Sequence, residues 1–196
     1  MKVKLSEGTR DDGLGIPYPK RDGTTNVGYR DLKNQPATKA DIHEISGYPE
    51  LQQFIDAVNQ CGFFRTIRCG DVDFGRVNIS GGLDAICSYV TIAFEILDFN
   101  RARECYVDLY EGFVAMAVDC TQCANTFVEF KLIPTSYNAH GINRAWSADI
   151  EIRGLGTTKT EARKNWALGW RTVQSFLVNE GALWAGELRK GRVTIS

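Results

Sequence analysis

The sequence predicts an α+β fold, in which helices cover one face of an antiparallel sheet of five to seven strands. Apolar and polar residues alternate from about residue 63 to residue 153, and apolar residues recur at helical spacing on each side of this region. Strands with one apolar and one polar face are typical of an antiparallel sheet covered on one side only. We therefore expect a long C-terminal helix and a shorter N-terminal helix on the apolar face.

The shorter helix is predicted from Pro49 to about Gln60. Proline suits the first helical position, because its missing N–H would have no partner there. Gly62 follows the predicted helix, at a position where a glycine in the left-handed conformation ends many helices. A shorter helical turn is predicted at 39–45. The apolar residues that share one face of the predicted helix are Leu51, Phe54, Ile55 and Val58.

The region of alternation is predicted to hold the strands of the sheet. Glu111 and Gly112 separate two short alternating runs and predict a tight hairpin, since glycine readily takes a positive φ. The tail of the chain could add a short edge strand near 192–195. The predicted strands are 63–69, 74–80, 85–97, 104–110, 113–119, 126–133 and 145–153.

The long C-terminal helix is predicted from Thr158 to about Asn179. Thr158 and Glu161 fit a capping box, in which each side chain satisfies a backbone N–H of the other residue. One stripe of the helix is apolar and holds two tryptophans, which bury a large area when a helix lies across a sheet. The stripe consists of Ala162, Trp166, Trp170, Val173 and Leu177.

Residues 1–47 form a predicted irregular arm in front of a single α+β domain, residues 48–196. The arm is rich in turn-forming and charged residues and has no sustained strand or helix period. It nevertheless carries Leu14, Ile16 and Tyr18, which a simple linker would not need. We expect the arm to pack on its own domain or on a neighbouring subunit, and a flexible tail is the alternative.

Charge and hydropathy argue against three classes of protein: non-specific nucleic-acid-binding, membrane-spanning and secreted proteins. The chain has 23 Lys and Arg residues against 24 Asp and Glu residues, a formal net charge of -1, which argues against non-specific nucleic-acid binding as its main activity. No apolar run approaches the roughly 18–20 residues of a membrane-spanning helix. No apolar stretch follows the first basic residues, as it would in a secretory signal, so a cytoplasmic protein with reduced thiols is expected.

Cys120 and Cys123 form a CxxC motif, whose two thiolates can bind one zinc ion. No cofactor is expected, and zinc at this motif is the alternative. A redox role would need the first cysteine at a helix start, whereas this motif lies between two predicted strands. This position favours the alternative, in which both cysteines lie in a turn and have no chemical role. The remaining zinc ligands would come from Cys61, Cys69, His43 or His140.

Two further pairs of residues could carry chemistry. Asp71 and Asp73 would lie on one face of an extended segment and could bind Mg²⁺ or Ca²⁺, although two aspartates beside glycines more often form a turn. His43 and His140 lie in polar loops and could act as general bases. No GxSxG, HExxH or P-loop pattern accompanies them, so a non-catalytic protein is favoured.

The segment 154–167 begins with a glycine-rich turn and continues as a capped helix with basic residues in its first turns. It resembles the strand-to-helix corner of double-stranded-RNA-binding domains, and the likeness extends over about a quarter of the chain. The resemblance implies that Lys159, Arg163 and Lys164 contact RNA phosphates. It also implies that the loop with His140 corresponds to the minor-groove loop of that family.

Three functions agree with these observations. The first is a non-catalytic interaction protein, such as an assembly subunit, an inhibitor or an immunity-type protein, that binds a protein partner or a second copy of itself through the arm and the open sheet face. The alternative is a small-molecule-binding protein of the helix-grip type, whose cavity would require polar residues on the helix-facing side of the sheet. The second alternative is the RNA-binding module.

Overall fold

The computed structural model describes residues 1–9, 13–19, 28–77, 82–118 and 120–189. These residues form an α+β fold, as predicted, with α-helices, β-strands and short 3-10 turns. In chain order the strands and α-helices are β1 (Lys2–Glu7), β2 (Leu14–Ile16), α1 (Pro49–Gln60), β3 (Phe64–Cys69), β4 (Asp73–Val77), β5 (Leu83–Phe94), α2 (Leu97–Arg101), α3 (Arg103–Ala117), β6 (Thr126–Tyr137), β7 (Ile142–Gly156) and α4 (Lys159–Arg189).

The sheet has the strand order β1-β6-β7-β5-β3, and its three central strands are antiparallel neighbours. Strands β3 and β4 pair with successive parts of the outer edge of β5, both in antiparallel orientation. Strands β1 and β2 pair with successive parts of the outer edge of β6, both in parallel orientation. The sheet is therefore mostly antiparallel, as predicted, with parallel pairing at one edge.

The two parallel edge strands come from the segment that the sequence predicts to be irregular. Val3 and Leu5 of β1 pack against the core, while Lys2 and Lys4 are exposed. This alternation is too short to stand out in the sequence. Parallel pairing also joins residues that are far apart in the chain, so no local turn signal accompanies it. The division of the chain at residue 47 stays a prediction.

The core lies between one face of the sheet and the helices, with α1, α3 and α4 and the short α2 all contributing buried residues. Helix α1 has its predicted bounds, and α4 begins within one residue of its predicted start and extends to Arg189. Trp166 and Trp170 are fully buried against the sheet, as their stripe predicts. In the part of the chain that the structure describes, no helix is long and apolar enough to cross a membrane. The strand predicted at 192–195 lies outside that part.

The predicted hairpin of strands 104–110 and 113–119 is wrong, because this segment forms the helix α3. Its buried residues follow one another at spacings of three, four and four positions, a helical period that the short alternating runs conceal. Gly112 lies within this helix, where a Cβ atom would stand 3.4 Å from Phe176 of α4. The buried residues of α3 are Tyr106, Leu109, Phe113 and Ala117.

The outer face of the sheet is the face opposite the helices. The described residues of the arm, which we call the N-terminal segment, cover one half of it. Leu14 and Ile16 of β2 are buried there in a second apolar cluster, on which Tyr18 and Tyr29 also pack. The rings of these two tyrosines meet edge to face, with their centres 5.9 Å apart. The described part of the arm therefore packs on the sheet of its own chain. The buried strand residues of this cluster are Ile67, Ala93, Ile133, Tyr137, Ile142 and Ala145.

Two 3-10 turns, Pro36–Asp41 and His43–Ile45, stand where a short helical turn is predicted. Ile45 is buried in the main core and anchors the second turn. This anchor places His43 and Glu44 beside the β3 edge of the sheet, next to the loop that leads into β4.

Candidate functional site

The uncovered half of the outer face carries two rows of side chains that run from β5 across β7 and β6 to β1. All of these side chains are exposed or half-buried, whereas the residues between them along each strand point toward the core. We call these residues the open face. They are Cys87, Arg153, Phe127 and Lys2 in one row, and Tyr89, Glu151, Glu129 and Lys4 in the other.

Four charged residues on the open face form pairs of opposite sign. Lys4 Nζ lies 3.0 Å from Glu129 Oε1, and a terminal nitrogen of Arg153 lies 3.0 Å from Glu151 Oε1. Glu129 and Glu151 are themselves direct neighbours across β6 and β7. Like charges in such positions repel each other. The open face therefore has an acidic centre, with one basic residue beside each glutamate.

Two groups on the open face have shifted pKa values. Burial alone would raise the pKa of Glu129, but hydrogen bonds from Ser6 and Lys4 outweigh this effect and lower it. Burial raises the pKa of the Cys87 thiol to about 12, and the negative charge of Glu151 acts in the same direction. Cys87 is therefore protonated at neutral pH and is a poor nucleophile.

The row next to the open face is a polar network of half-buried Arg68 and Asp149 and buried Thr91. Arg68 donates hydrogen bonds to Thr91 Oγ1 at 2.9 Å and to Asp149 Oδ2 at 3.0 Å, and Thr91 Oγ1 donates to Asp149 Oδ1. The Arg68 guanidinium also lies 5.5 Å from the centre of the Tyr89 ring. These polar groups are therefore paired with one another within the sheet, beside Tyr89 at the margin of the open face.

A cavity of about 380 Å³ lies at the β3 edge, between the sheet and the N-terminal segment. Its volume falls in the range of small-molecule sites. The Tyr18 hydroxyl in its wall donates a hydrogen bond to the Ile67 carbonyl oxygen at 3.2 Å, and burial holds the pKa of this hydroxyl well above its usual value. The polar and charged lining residues include Tyr18, Arg30, Glu44, Arg68 and Tyr89.

His43 stands between two carboxylates beside this cavity. Its Nδ1 atom lies 3.2 Å from Glu44 Oε2, and its Nε2 atom lies 3.7 Å from Asp71 Oδ1. Asp73, which the sequence pairs with Asp71, lies instead at the start of β4 opposite Cys87. Binding of Mg²⁺ or Ca²⁺ by the two aspartates stays a prediction.

Cys120 and Cys123 are joined by a disulfide bond in the segment between α3 and β6. In this state their thiolates are not available as zinc ligands, so zinc binding by these cysteines stays a prediction that applies to the reduced chain. His140 is exposed in a 3-10 turn before β7. No sequence pattern points to Glu44, because only the fold brings it beside Asp71.

The basic residues that the RNA-binding resemblance indicates lie in the first turns of α4. A terminal nitrogen of Arg163 lies 3.4 Å from Glu50 Oε2, and its guanidinium lies 5.6 Å from the centre of the Tyr48 ring. Lys159 and Lys164 are exposed. One of the three residues is therefore engaged within the chain, and RNA contact by this group stays a prediction.

These features describe an α+β protein with a half-covered sheet, a mixed-charge open face and a cavity at one sheet edge. No protein-family model, curated protein or solved structure matches the chain. Its function is therefore inferred from its own geometry.

Proposed function

We propose that this protein is a non-catalytic binding module that engages a protein partner through the open face. The observation that carries the proposal is the uneven covering of the sheet. The N-terminal segment covers one half of the outer face with buried apolar residues, while the two rows of the open face keep their side chains exposed or half-buried. Open sheet faces and edges are common sites of protein recognition.

The charges of the open face indicate the chemistry of the partner. Lys2, Lys4 and Arg153 lie within the same two rows as Glu129 and Glu151, so neither sign dominates. A surface of mixed charge suits a protein partner with complementary charges, whereas the phosphates of a nucleic acid require a basic surface. The expected partner presents charges of both signs that complement those of the open face.

The Phe127 ring supplies an apolar contact beside these charges. Lys2 Nζ lies 5.2 Å from its centre, on the outer edge of the same row. Aromatic residues with an exposed face are enriched at protein interfaces. An apolar partner side chain on Phe127 would add buried area, and complementary partner charges beside it would fix the orientation of the interface.

Charge reversal on the open face tests the proposal. The variant Glu129→Lys with Glu151→Lys is compared with the control Glu104→Lys with Asp108→Lys, which makes the same change of charge at two exposed positions of α3. Each protein, checked for a native circular dichroism spectrum, is used as bait in extracts of its host cells. Self-association is measured in parallel by sedimentation velocity.

We expect a partner, or a second copy of the chain, that binds the wild type and the control and is lost with the open-face variant. A partner that binds all three proteins equally would contradict the proposal. So would a wild type that stays monomeric and captures nothing beyond what the open-face variant captures.

Small-molecule binding is a second candidate, supported by the cavity of about 380 Å³ beside β3. This cavity lies on the side of the N-terminal segment and not between the sheet and α4, where a helix-grip protein would bind its ligand. Leu32 lines it and is half-buried. If native mass spectrometry detects a small molecule on the wild type, Leu32→Trp is expected to displace it, and a wild type without added mass would exclude this candidate.

A further inference from the structure

We propose that His43, Glu44 and Asp71 form a binding site for a divalent transition-metal ion, with zinc as the expected ion. One nitrogen or oxygen donor atom from each residue lies within 4.8 Å of the donor atoms of the other two. The site is separate from the open face and from the CxxC motif. It joins the second 3-10 turn to the loop between β3 and β4.

Glu44 gives an independent reason to expect a cation. Its side chain is 14% exposed, and among the described residues its buried Oε2 atom has no hydrogen-bond donor. The nearby His43 Nδ1 atom lies 3.2 Å away but outside hydrogen-bonding geometry. A buried carboxylate oxygen without a hydrogen bond is costly, and a metal ion would satisfy it directly.

The donor set indicates the kind of metal. An imidazole nitrogen with two carboxylate oxygens is a ligand combination that zinc accepts, and three protein ligands leave a fourth position for water. Magnesium prefers oxygen ligands alone, so the histidine favours zinc.

Metal binding requires the His43 ring to turn and the donor atoms to move closer together. Donor atoms that bind one zinc ion at roughly 2.0–2.2 Å are separated by about 3–4 Å. The side chains of His43 and Asp71 are 42% and 67% exposed, so both are free to adjust. The imidazole presents one nitrogen to each carboxylate, and a rotation of this exposed ring would bring a single nitrogen between them.

The proposal is tested with zinc chloride as the probe, by native mass spectrometry, calorimetry and thermal unfolding. We expect one Zn²⁺ per chain, a higher midpoint of thermal unfolding in zinc, and no displacement by excess Mg²⁺. His43→Ala should weaken binding by at least about tenfold. Asp71→Asn is the second variant, at an exposed position where folding is not at risk, and it should weaken binding as well.

Two controls separate this site from the other candidates. His140→Ala removes the other histidine of the chain and should bind zinc like the wild type. Cys120→Ser with Cys123→Ser should also retain the bound ion. Zinc binding that is lost only in the cysteine variant, that persists unchanged in both His43→Ala and Asp71→Asn, or that is absent from the wild type would overturn the proposal.

Discussion

Gly154 of β7 lies so close to Trp166 of α4 that no side chain fits between them. A Cβ atom on Gly154 would stand 2.3 Å from the backbone nitrogen of Trp166 and 2.7 Å from its Cβ atom. The missing side chain lets the helix approach the sheet and bury its tryptophan stripe. Strand β7 carries Glu151 and Arg153 on the open face. On the core side of the sheet, the contact at Gly154 holds the same strand against α4.

The first prediction is that Gly154→Ala destabilises the protein. Because the added methyl group meets backbone atoms that cannot move independently, we expect the free energy of unfolding to fall by about 1–3 kcal/mol. Urea unfolding measures it. Gly75→Ala in β4 is the matched control, since a Cβ atom there has no neighbour within 4 Å. Equal stability of the two variants would show that β7 and α4 are not packed this closely.

The same contact shows what the sequence could and could not predict. The capped helix after residue 158 and its tryptophan stripe are local patterns, so the sequence predicts α4 and its buried face. Gly154 and Gly156 give part of the resemblance to an RNA-binding corner, yet in this fold both lie against α4 at distances that exclude a Cβ atom. The two glycines are needed because a helix packs across the strand, and no local sequence pattern encodes this packing.

The second prediction concerns Ser88 in the core. Its Oγ atom accepts hydrogen bonds from the indole N–H groups of Trp166 at 3.0 Å and Trp170 at 3.2 Å. Ser88→Ala would leave both buried donors without a partner, and we expect the free energy of unfolding to fall by about 2–4 kcal/mol. Chemical denaturation followed by tryptophan fluorescence measures the change.

A paired variant shows whether the hydrogen bonds cause this loss. In a chain that already carries Trp166→Phe and Trp170→Phe, Ser88→Ala removes a hydroxyl that has lost both donors. The same substitution should then change the free energy of unfolding by less than about 1 kcal/mol. A loss of the same size in both backgrounds would assign the effect to packing.

The third prediction is a pH dependence that arises from Glu95. Burial alone would raise the pKa of this carboxyl, but hydrogen bonds from Arg65 and Lys33 outweigh it and lower the pKa from 4.5. A pKa that is lower in the folded state contributes stability above the unfolded value, and this contribution disappears as the pH falls through the folded value. Glu95→Gln should therefore be less stable than the wild type at pH 7, with a difference that shrinks below about pH 4.5.

Urea unfolding between pH 7 and pH 3 tests this dependence. Arg65→Gln removes the partner whose Nε atom lies 2.8 Å from Glu95 Oε2, so it should reduce the acid sensitivity in the same way. A stability difference between wild type and Glu95→Gln that stays constant over the whole pH range would mean that the carboxyl gains nothing from these contacts.

Only part of the open face could be predicted from the sequence, because strand pairing brings its residues together. Alternation along 126–133 and 145–153 indicates which residues face solvent, so Glu129, Glu151 and Arg153 are predicted on the wet face. Their grouping depends on strand register, which pairs Glu129 with Glu151 across two strands. The covering of the other half of this face depends on β2, whose parallel partner β6 lies more than a hundred residues away in the chain.

The most direct test of the open face as a binding surface is hydroxyl-radical footprinting of the protein with and without its bound protein partner. The rates of side-chain oxidation at Phe127 and Tyr89 report on the open face, while Met116 and Leu183 are exposed reference residues on α3 and α4. We predict that the partner slows oxidation of Phe127 and Tyr89 several-fold and leaves Met116 and Leu183 unchanged. Protection of Met116 and Leu183, with Phe127 and Tyr89 oxidised as in the free protein, would contradict the proposal.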